Sequence, residues 1–185
     1  MKICLDAGHG NGNVRGDVFD PGAVASGIRE ADIALEWALT GKFIFASEHI
    51  PVYLTRNDNT DITPISKRDD MATAKDCTHF ISIHCNAANG TATGVEAYYR
   101  DQRDKVFAKI VLDCLVEATG LRNRGLKAEG DSQHARLAVL NFGPPAVLIE
   151  VGFIDNPVDR AKIRDRAVRM KFFELLAKKL KAVNN

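Results

Sequence analysis

The stretch Lys2-Ile3-Cys4-Leu5-Asp6-Ala7-Gly8-His9-Gly10 opens the chain and sets how the rest of it is read. Its apolar part is short, branched and closed by glycine, the pattern of a buried strand rather than a helix. Glycines on both sides of His9 let the backbone bend sharply and bring an imidazole up to a neighbour without a Cβ clash. A histidine in such a turn is either plain surface punctuation or a ligand. A second histidine, His84, closes another apolar strand, Phe80-Ile81-Ser82-Ile83. Two strand-end histidines together with a carboxylate would make a metal site.

Outward from that strand the period changes. Asn11 to Gly27 is a Gly- and Asp-bearing loop, and loops that long in compact domains are usually functional. From about Ala31, Ile33, Ala34, Trp37, Ala38, Ile44 and Phe45 recur at three and four, a helix that Thr40-Gly41 weakens in the middle. Glu30 stands at or near its N-terminus, a place where the helix dipole by itself favours an acid. Pro51 to Thr55 reads as a strand and Pro64 to Lys75 as a charged helix opened by proline. Gly94 to Tyr99 alternates as a strand, and Val106, Ile110, Val111, Cys114, Leu115 and Ala118 mark a helix closed by Gly120. Asn123 to His134 reads as polar and irregular, and Leu137 to Leu140 as a strand.

Ala146 to Phe153 is apolar enough for a central strand, which isolates Glu150: a carboxylate there is costly unless paired or near a metal. The chain closes in helical segments ending in the amphipathic Met170 to Val183. Strands alternating with helices predict an α/β layer fold, largely parallel, with antiparallel pairing around Gly94 to Leu140. In such sheets the binding crevice lies beyond the carboxyl ends of the strands. His9, His84 and Glu150 all fall at or just past such ends.

At 185 residues the chain fits one domain, residues 1–185, with a core that needs no staples. A net charge of +1 gives no argument for nucleic acid or an anionic surface as partner. No apolar run reaches the roughly 18 residues of a membrane span. The N-terminus lacks a basic segment followed by an apolar one, so synthesis in the cytoplasm without a signal peptide is expected. The four cysteines, 4, 77, 85 and 114, form no CxxC pair and read as reduced thiols rather than a zinc knuckle or a redox motif.

Two imidazoles and a carboxylate around a metal-activated water are a recurring catalytic zinc arrangement. A further carboxylate would then carry the proton to a leaving amine. His9, Glu30, His84 and Glu150 fit those four roles, and the absence of HExxH excludes a zincin helix. Further stretches belong with these: Asp6-Ala7-Gly8-His9-Gly10, Asp20-Pro21-Gly22-Ala23, Gly27 with Glu30, Leu54-Thr55-Arg56-Asn57-Asp58 and Arg68. The set continues through Ile81-Ser82-Ile83-His84-Cys85-Asn86-Ala87, Gly94 to Tyr99, Asn123-Arg124-Gly125-Leu126-Lys127, and Pro145 to Asn156, over nearly the whole chain. In these stretches and in their order the sequence resembles the type-3 N-acetylmuramoyl-L-alanine amidases of bacterial cell walls and phage endolysins. Departures are mild: Ala7 where proline is frequent, Asn11 where glycine is frequent, and Ala72-Thr73 where Ala-Asn is usual. Asn11 alone lies in a loop over the expected metal.

The resemblance implies Zn²⁺ held by His9, Glu30 and His84, with Glu150 as the catalytic carboxylate. It implies a twisted, mostly parallel sheet of about six strands flanked by helices. The substrate would be peptidoglycan, cut between N-acetylmuramic acid and the L-alanine of the stem peptide. Without a signal peptide, a phage-type endolysin released by a holin-type, membrane-permeabilising partner is expected, with a domain of a longer exported enzyme as the alternative. Asn86, Glu96 and Arg124 are candidate substrate contacts, the last because a planar guanidinium suits a peptide carboxylate. His134 sits in a polar loop that would cover the site or simply be exposed. Cys85 is discounted as a nucleophile because adjacent strand residues face opposite ways. Trp37, Tyr98 and Tyr99 read as core, and His49 and His79 as structural. Two rival readings are an Fe(II) oxygenase with the same ligand types and a wall-binding module without chemistry.

Overall fold

The computed structural model describes residues 1–13, 18–132, 134–143 and 145–184. Residues 14–17 of the loop expected over Asn11 to Gly27 therefore lie outside the described residues. In chain order come β1 (Ile3–Ala7), the two-residue strands β2 (Gly10–Asn11), β3 (Phe19–Asp20), β4 (Val24–Ala25) and β5 (Ile28–Arg29), then α1 (Glu30–Ser47) and β6 (Val52–Leu54). They are followed by α2 (Arg68–Thr73), β7 (His79–Asn86), β8 (Val95–Tyr99), α3 (Gln102–Thr119) and β9 (Asn123–Ala128). Last are β10 (Ala146–Phe153), α4 (Pro157–Arg164) and α5 (Arg166–Asn184).

The main sheet has six strands in the order β6-β1-β7-β10-β8-β9. β6, β1, β7 and β10 are parallel. β8 joins β10 antiparallel and carries β9 parallel to itself at the edge. The mostly parallel six-stranded sheet agrees with the expectation from the sequence. The ribbons β2–β3 and β4–β5 fold the segment between β1 and α1 back on itself.

Side-chain parity decides where chemistry can occur, because alternate residues of a strand face opposite sides of the sheet. Ile3, Leu5, Ala7, Ile81, Ile83, Val147, Ile149 and Val151 face the larger core, which α1, α3 and α5 cover. Cys4, Phe80, Tyr98, Ala146 and Leu148 face the other side, where among the described residues the smaller cluster is completed by Ala72 of α2, Cys77 and residues 137, 139, 140 and 142. Asp6, Ser82, His84, Glu96 and Glu150 share this second parity. These polar residues of the sheet thus fall on the thinly covered face, His84 and Glu150 toward the end where β7 and β10 stop, whereas His79, at the start of β7, has the other parity and packs on Phe107.

Three local expectations change. Asn123–Ala128 forms the edge strand β9: paired on one side only, it can be polar and still be a strand. Residues 138–141 form a 3₁₀ turn, not a strand, with Val139 and Leu140 plugging the smaller core. The helix expected over Pro64 to Lys75 shortens to a 3₁₀ turn at Ile65–Lys67 and α2. Gly41, which weakens α1 on paper, has a packing reason: a Cβ there would come within 2.5 Å of Leu5 and Phe173. All four cysteines are free and buried, and among the described residues no helix is long and apolar enough to cross a membrane.

Candidate metal centre

The turn after β1 is built by two buried arginines. His9 has a φ of 60°, a left-handed conformation that costs a non-glycine residue about 1–3 kcal/mol. Arg68 donates from Nη2 to the His9 carbonyl at 2.6 Å and from Nη1 to that of Ala7 at 2.8 Å. Arg56 donates to the carbonyls of Ala7, Gly8 and Ala31 at 3.0, 2.9 and 2.7 Å. The Ala31 bond ties the turn to the first turn of α1, where Glu30 sits. Asp6 balances the Arg68 charge at 2.7 Å and also accepts from Thr55 and Ser82, all within the sheet face. Burial opposes the Asp6 charge, but Arg68 and those hydrogen bonds outweigh it and hold the carboxyl below its ordinary range.

This frame aims three donor atoms at one point. His9 Nε2 lies 3.0 Å and His84 Nδ1 3.1 Å from Glu30 Oε1, and the two nitrogens are 3.2 Å apart. Glu30 is fixed by the backbone N–H groups of Ala23 and Cys85, at 2.9 and 2.8 Å. Close approach depends on two glycines. A Cβ on Gly8 would sit 2.5 Å from the His84 ring, and one on Gly22 2.7 Å from Glu30 Oε2 and from the His9 ring. Burial would raise the Glu30 pKa, yet His84 and His9 hold it well below the carboxylate range.

His9 Nδ1 meets Asp20 Oδ2 at 2.9 Å, and Asn13 and the Gly22 N–H also donate to Asp20. Burial works against the Asp20 charge, but His9 and these donors keep its pKa low. Burial would lower the His9 pKa, but Glu30 and then Asp20 raise it, so without a metal a proton is favoured between His9 and Glu30. When another cation takes that proton's place, the anionic Asp20 keeps the remaining proton of neutral His9 on Nδ1 and leaves the Nε2 lone pair facing Glu30. Lone pairs on a nitrogen, a second nitrogen and a carboxylate oxygen repel one another unless a cation lies among them. Donor–donor edges of about 3.3 Å are those of a tetrahedral site with ligands at 2.0–2.1 Å, so the triangle fits one metal ion. Asp20 then completes a carboxylate–histidine–metal relay, whose outer member is typically worth 10–100-fold in affinity. Asp20→Ala is expected to weaken metal binding by about that factor with the fold intact, as read by titration against a competing chelator. Unchanged affinity would exclude the relay.

Glu150 is the register partner of His84 on β7 and of Glu96 on β8. Its Oε2 is buried without a hydrogen-bond partner. Burial first, and then the charges of Glu30 and Glu96, push its pKa well above the carboxylate range. Glu96 stays charged beside it. Despite burial, Lys127, Asn86, Arg124 and Tyr98 all donate to it and bring it to about 2. The metal triangle and Glu150 line a single cleft of about 610 Å³, which residues 132, 134 and 136–139 also line.

A family model described as N-acetylmuramoyl-L-alanine amidase (Amidase_3) matches residues 3–182. The chain belongs to this amidase family. It is 30% identical over 176 residues to the N-acetylmuramoyl-L-alanine amidase CwlM of Bacillus licheniformis, covering 90% of this chain and 62% of that protein. It is 34% identical over 173 residues to the endolysin of Bacillus phage SPP1, covering 88% of this chain and 58% of that one. The chain thus spans about three fifths of these relatives. The solved catalytic domain of CwlV, an N-acetylmuramoyl-L-alanine amidase from Bacillus (Paenibacillus) polymyxa var. colistinus, superposes with a TM-score of 0.84 at 27% identity. That match covers 99% of this chain and 97% of that one.

Within this amidase domain the sequence candidates fall into two groups. His9, Glu30, His84, Glu150 and Asn86 reach the cleft. Glu96 and Arg124 do not line it: Arg124 is bound to Glu96 at 2.8 Å and lies over the Phe153 ring at 4.9 Å. Cys85 borders the cleft but is buried with the larger core, and its thiol is pushed far up by burial, with the charges of Glu30 and Glu150 adding to the effect. Tyr98 is core, as expected, but its hydroxyl bonds Glu96 and its ring borders the cleft. Sequence reasoning missed the second-layer work of Asp20, Arg56 and Arg68. Their presence in the quoted motifs was the available signal.

Proposed function

We propose that this chain is a zinc-dependent peptidoglycan amidase that hydrolyses the amide between the lactyl group of N-acetylmuramic acid and the L-alanine of the stem peptide. The observation that carries this is the triangle of His9 Nε2, Glu30 Oε1 and His84 Nδ1 in one cleft with the unpartnered Glu150 carboxyl. Two imidazoles and one carboxylate suit Zn²⁺ with an open position. Bound there, Zn²⁺ supplies Lewis acidity that polarises the scissile carbonyl and lowers the pKa of a water toward about 7.

Glu150 takes the proton from the attacking water and hands it to the departing alanine nitrogen. Its environment suits both halves, since burial and two neighbouring acids make protonation easy while the carboxyl stays free of competing donors. Asn86 contacts substrate from the cleft wall. Glu96 and Arg124 act beneath it, Glu96 by orienting the Asn86 amide at 2.9 Å and Arg124 by holding Glu96.

The test is incubation with purified peptidoglycan. New L-alanine amino groups are expected to appear, to stop appearing with chelator and to return with added Zn²⁺. Release of sugar reducing ends instead, or turnover that needs iron and oxygen, would overturn the assignment. Binding to peptidoglycan with no new alanine termini would restore a wall-binding module. The likeness to the SPP1 endolysin supports a phage-type lytic role, and a holin-type partner is part of this proposal. Co-expression with a holin in a bacterial host is then expected to lyse the cells, where either protein alone does not.

A further inference from the structure

Part of the lining of the cleft that holds the metal triangle comes from residues 132, 134 and 136–139 after β9, and both sides of this stretch are anchored. Glu129 is gripped by Arg100 at 2.6 and 2.9 Å and accepts from the Leu137 N–H at 3.0 Å. Arg100 also donates to the Leu137 carbonyl at 3.0 Å, and Val139 and Leu140 are buried in the smaller core. Between these anchors Arg136 is exposed and lines the cleft.

The other charges of the cleft make Arg136 unusual. Asp20, Glu30 and Glu150 give it an acidic floor, and Arg68 is spent on Asp6 and on backbone carbonyls. Arg68 and Arg136 are the arginines among the described lining residues, and Arg136 is the one whose side chain makes no hydrogen bond or ion pair, its charge being felt only at longer range by Glu129. Ser132, on the same segment and the same wall, has a buried hydroxyl oxygen without a partner. Arg124, the arginine that sequence alone suggested for a peptide carboxylate, is committed to Glu96 away from the cleft.

We propose that Arg136 is a specificity residue that reads the free α-carboxylate of D-glutamate, the second residue of the stem peptide, with Ser132 as a neutral donor beside it. This rests on the amidase reading above. With the lactyl–alanine amide at the metal triangle, the D-glutamate lies about two residues away, some 7 Å of extended chain, within a cleft of about 610 Å³. That residue continues the stem through its side-chain carboxyl. Its α-carboxyl is therefore left as a free anion, or as a neutral carboxamide when the wall is amidated. A guanidinium fork pairs with the carboxylate through two charge-assisted hydrogen bonds and has no such match with a carboxamide. Selection between acid and amidated stems is the result.

Two muramyl peptides that differ only in this group separate the outcomes. The zinc-loaded wild-type chain is expected to show a KM about tenfold lower for the acid form, as one or two charge-assisted bonds give, with similar kcat for both. In Arg136→Gln the ratio of the two KM values is expected to collapse to about one, in Arg136→Lys to recover in part, and in Arg136→Glu to invert. The released peptides, titrated by calorimetry without turnover, are expected to follow the same order. Turnover of both muramyl peptides with equal KM in the wild type, or a ratio that survives Arg136→Gln, would overturn this inference alone. No turnover of either would overturn the amidase reading together with it.

Discussion

Glu150→Gln is expected to lower kcat on purified peptidoglycan by about 10²–10⁴-fold, the usual contribution of a positioned proton carrier, while the chain keeps its metal. The side chain lies outside the donor triangle, so its amide leaves His9, Glu30 and His84 undisturbed. Glutamine keeps the shape and loses only the capacity to take and give a proton. A stability readout accompanies the kinetic one. The folded pKa of Glu150 is raised from 4.5 by burial and by Glu30 and Glu96, so the metal-free native state holds a proton that the unfolded chain releases. Its contribution is therefore present below about pH 4.5 and fades as pH rises through the folded value. The metal-free glutamine variant lacks that loss, and its advantage in denaturant midpoint over metal-free wild type is expected to grow from pH 5 to pH 8. Near-normal turnover would remove Glu150 from the chemistry, and loss of metal binding would move it into the ligand set.

How much of this could be seen in the sequence follows from the range over which each feature acts. Strands β1, β7 and β10 announce themselves because burial on both faces demands continuous apolar runs. The two histidines and Glu150 announce themselves because they interrupt or end such runs. Glu30 was ambiguous locally, since a first-turn acid needs no metal to explain it, and only its meeting with His84, 54 residues away, gives it meaning. The arginine clamp was hidden for a deeper reason. Arg68 serves carbonyls and Asp6 some 60 residues upstream, and no pattern on α2 reveals that its charge points inward. The edge strand β9 and the turn at residues 138–141 differ from the sequence expectation because their form is set by what they pair with and cover, not by their own periodicity. Arg124 shows the same limit from the other side: guanidinium chemistry was visible, but its partner Glu96 was not.

Arg68→Met tests that hidden layer, and a loss of about 3–5 kcal/mol is expected, the cost of leaving a buried charge without its partner. For a chain of this size that is roughly 10 °C in Tm. The side chain is 1% exposed and Asp6 0%, so water cannot take over for either. The pH dependence should change sign. In the wild type the folded Asp6 pKa lies below its ordinary 3.8, so its contribution is present above that value and lost as pH falls through the lower folded one. Without Arg68 burial dominates, the folded pKa rises, and native Asp6 keeps a proton the unfolded chain gives up, so stability falls as pH rises above about 4. Metal affinity is expected to drop in the same variant, because the His9 carbonyl loses its 2.6 Å donor and the strained turn is free to relax. Thermal melts from pH 4 to 8, with and without zinc, read all three effects. A variant as stable as wild type that still binds metal normally would show that the turn holds His9 without Arg68, and the frame would then rest on Arg56 alone.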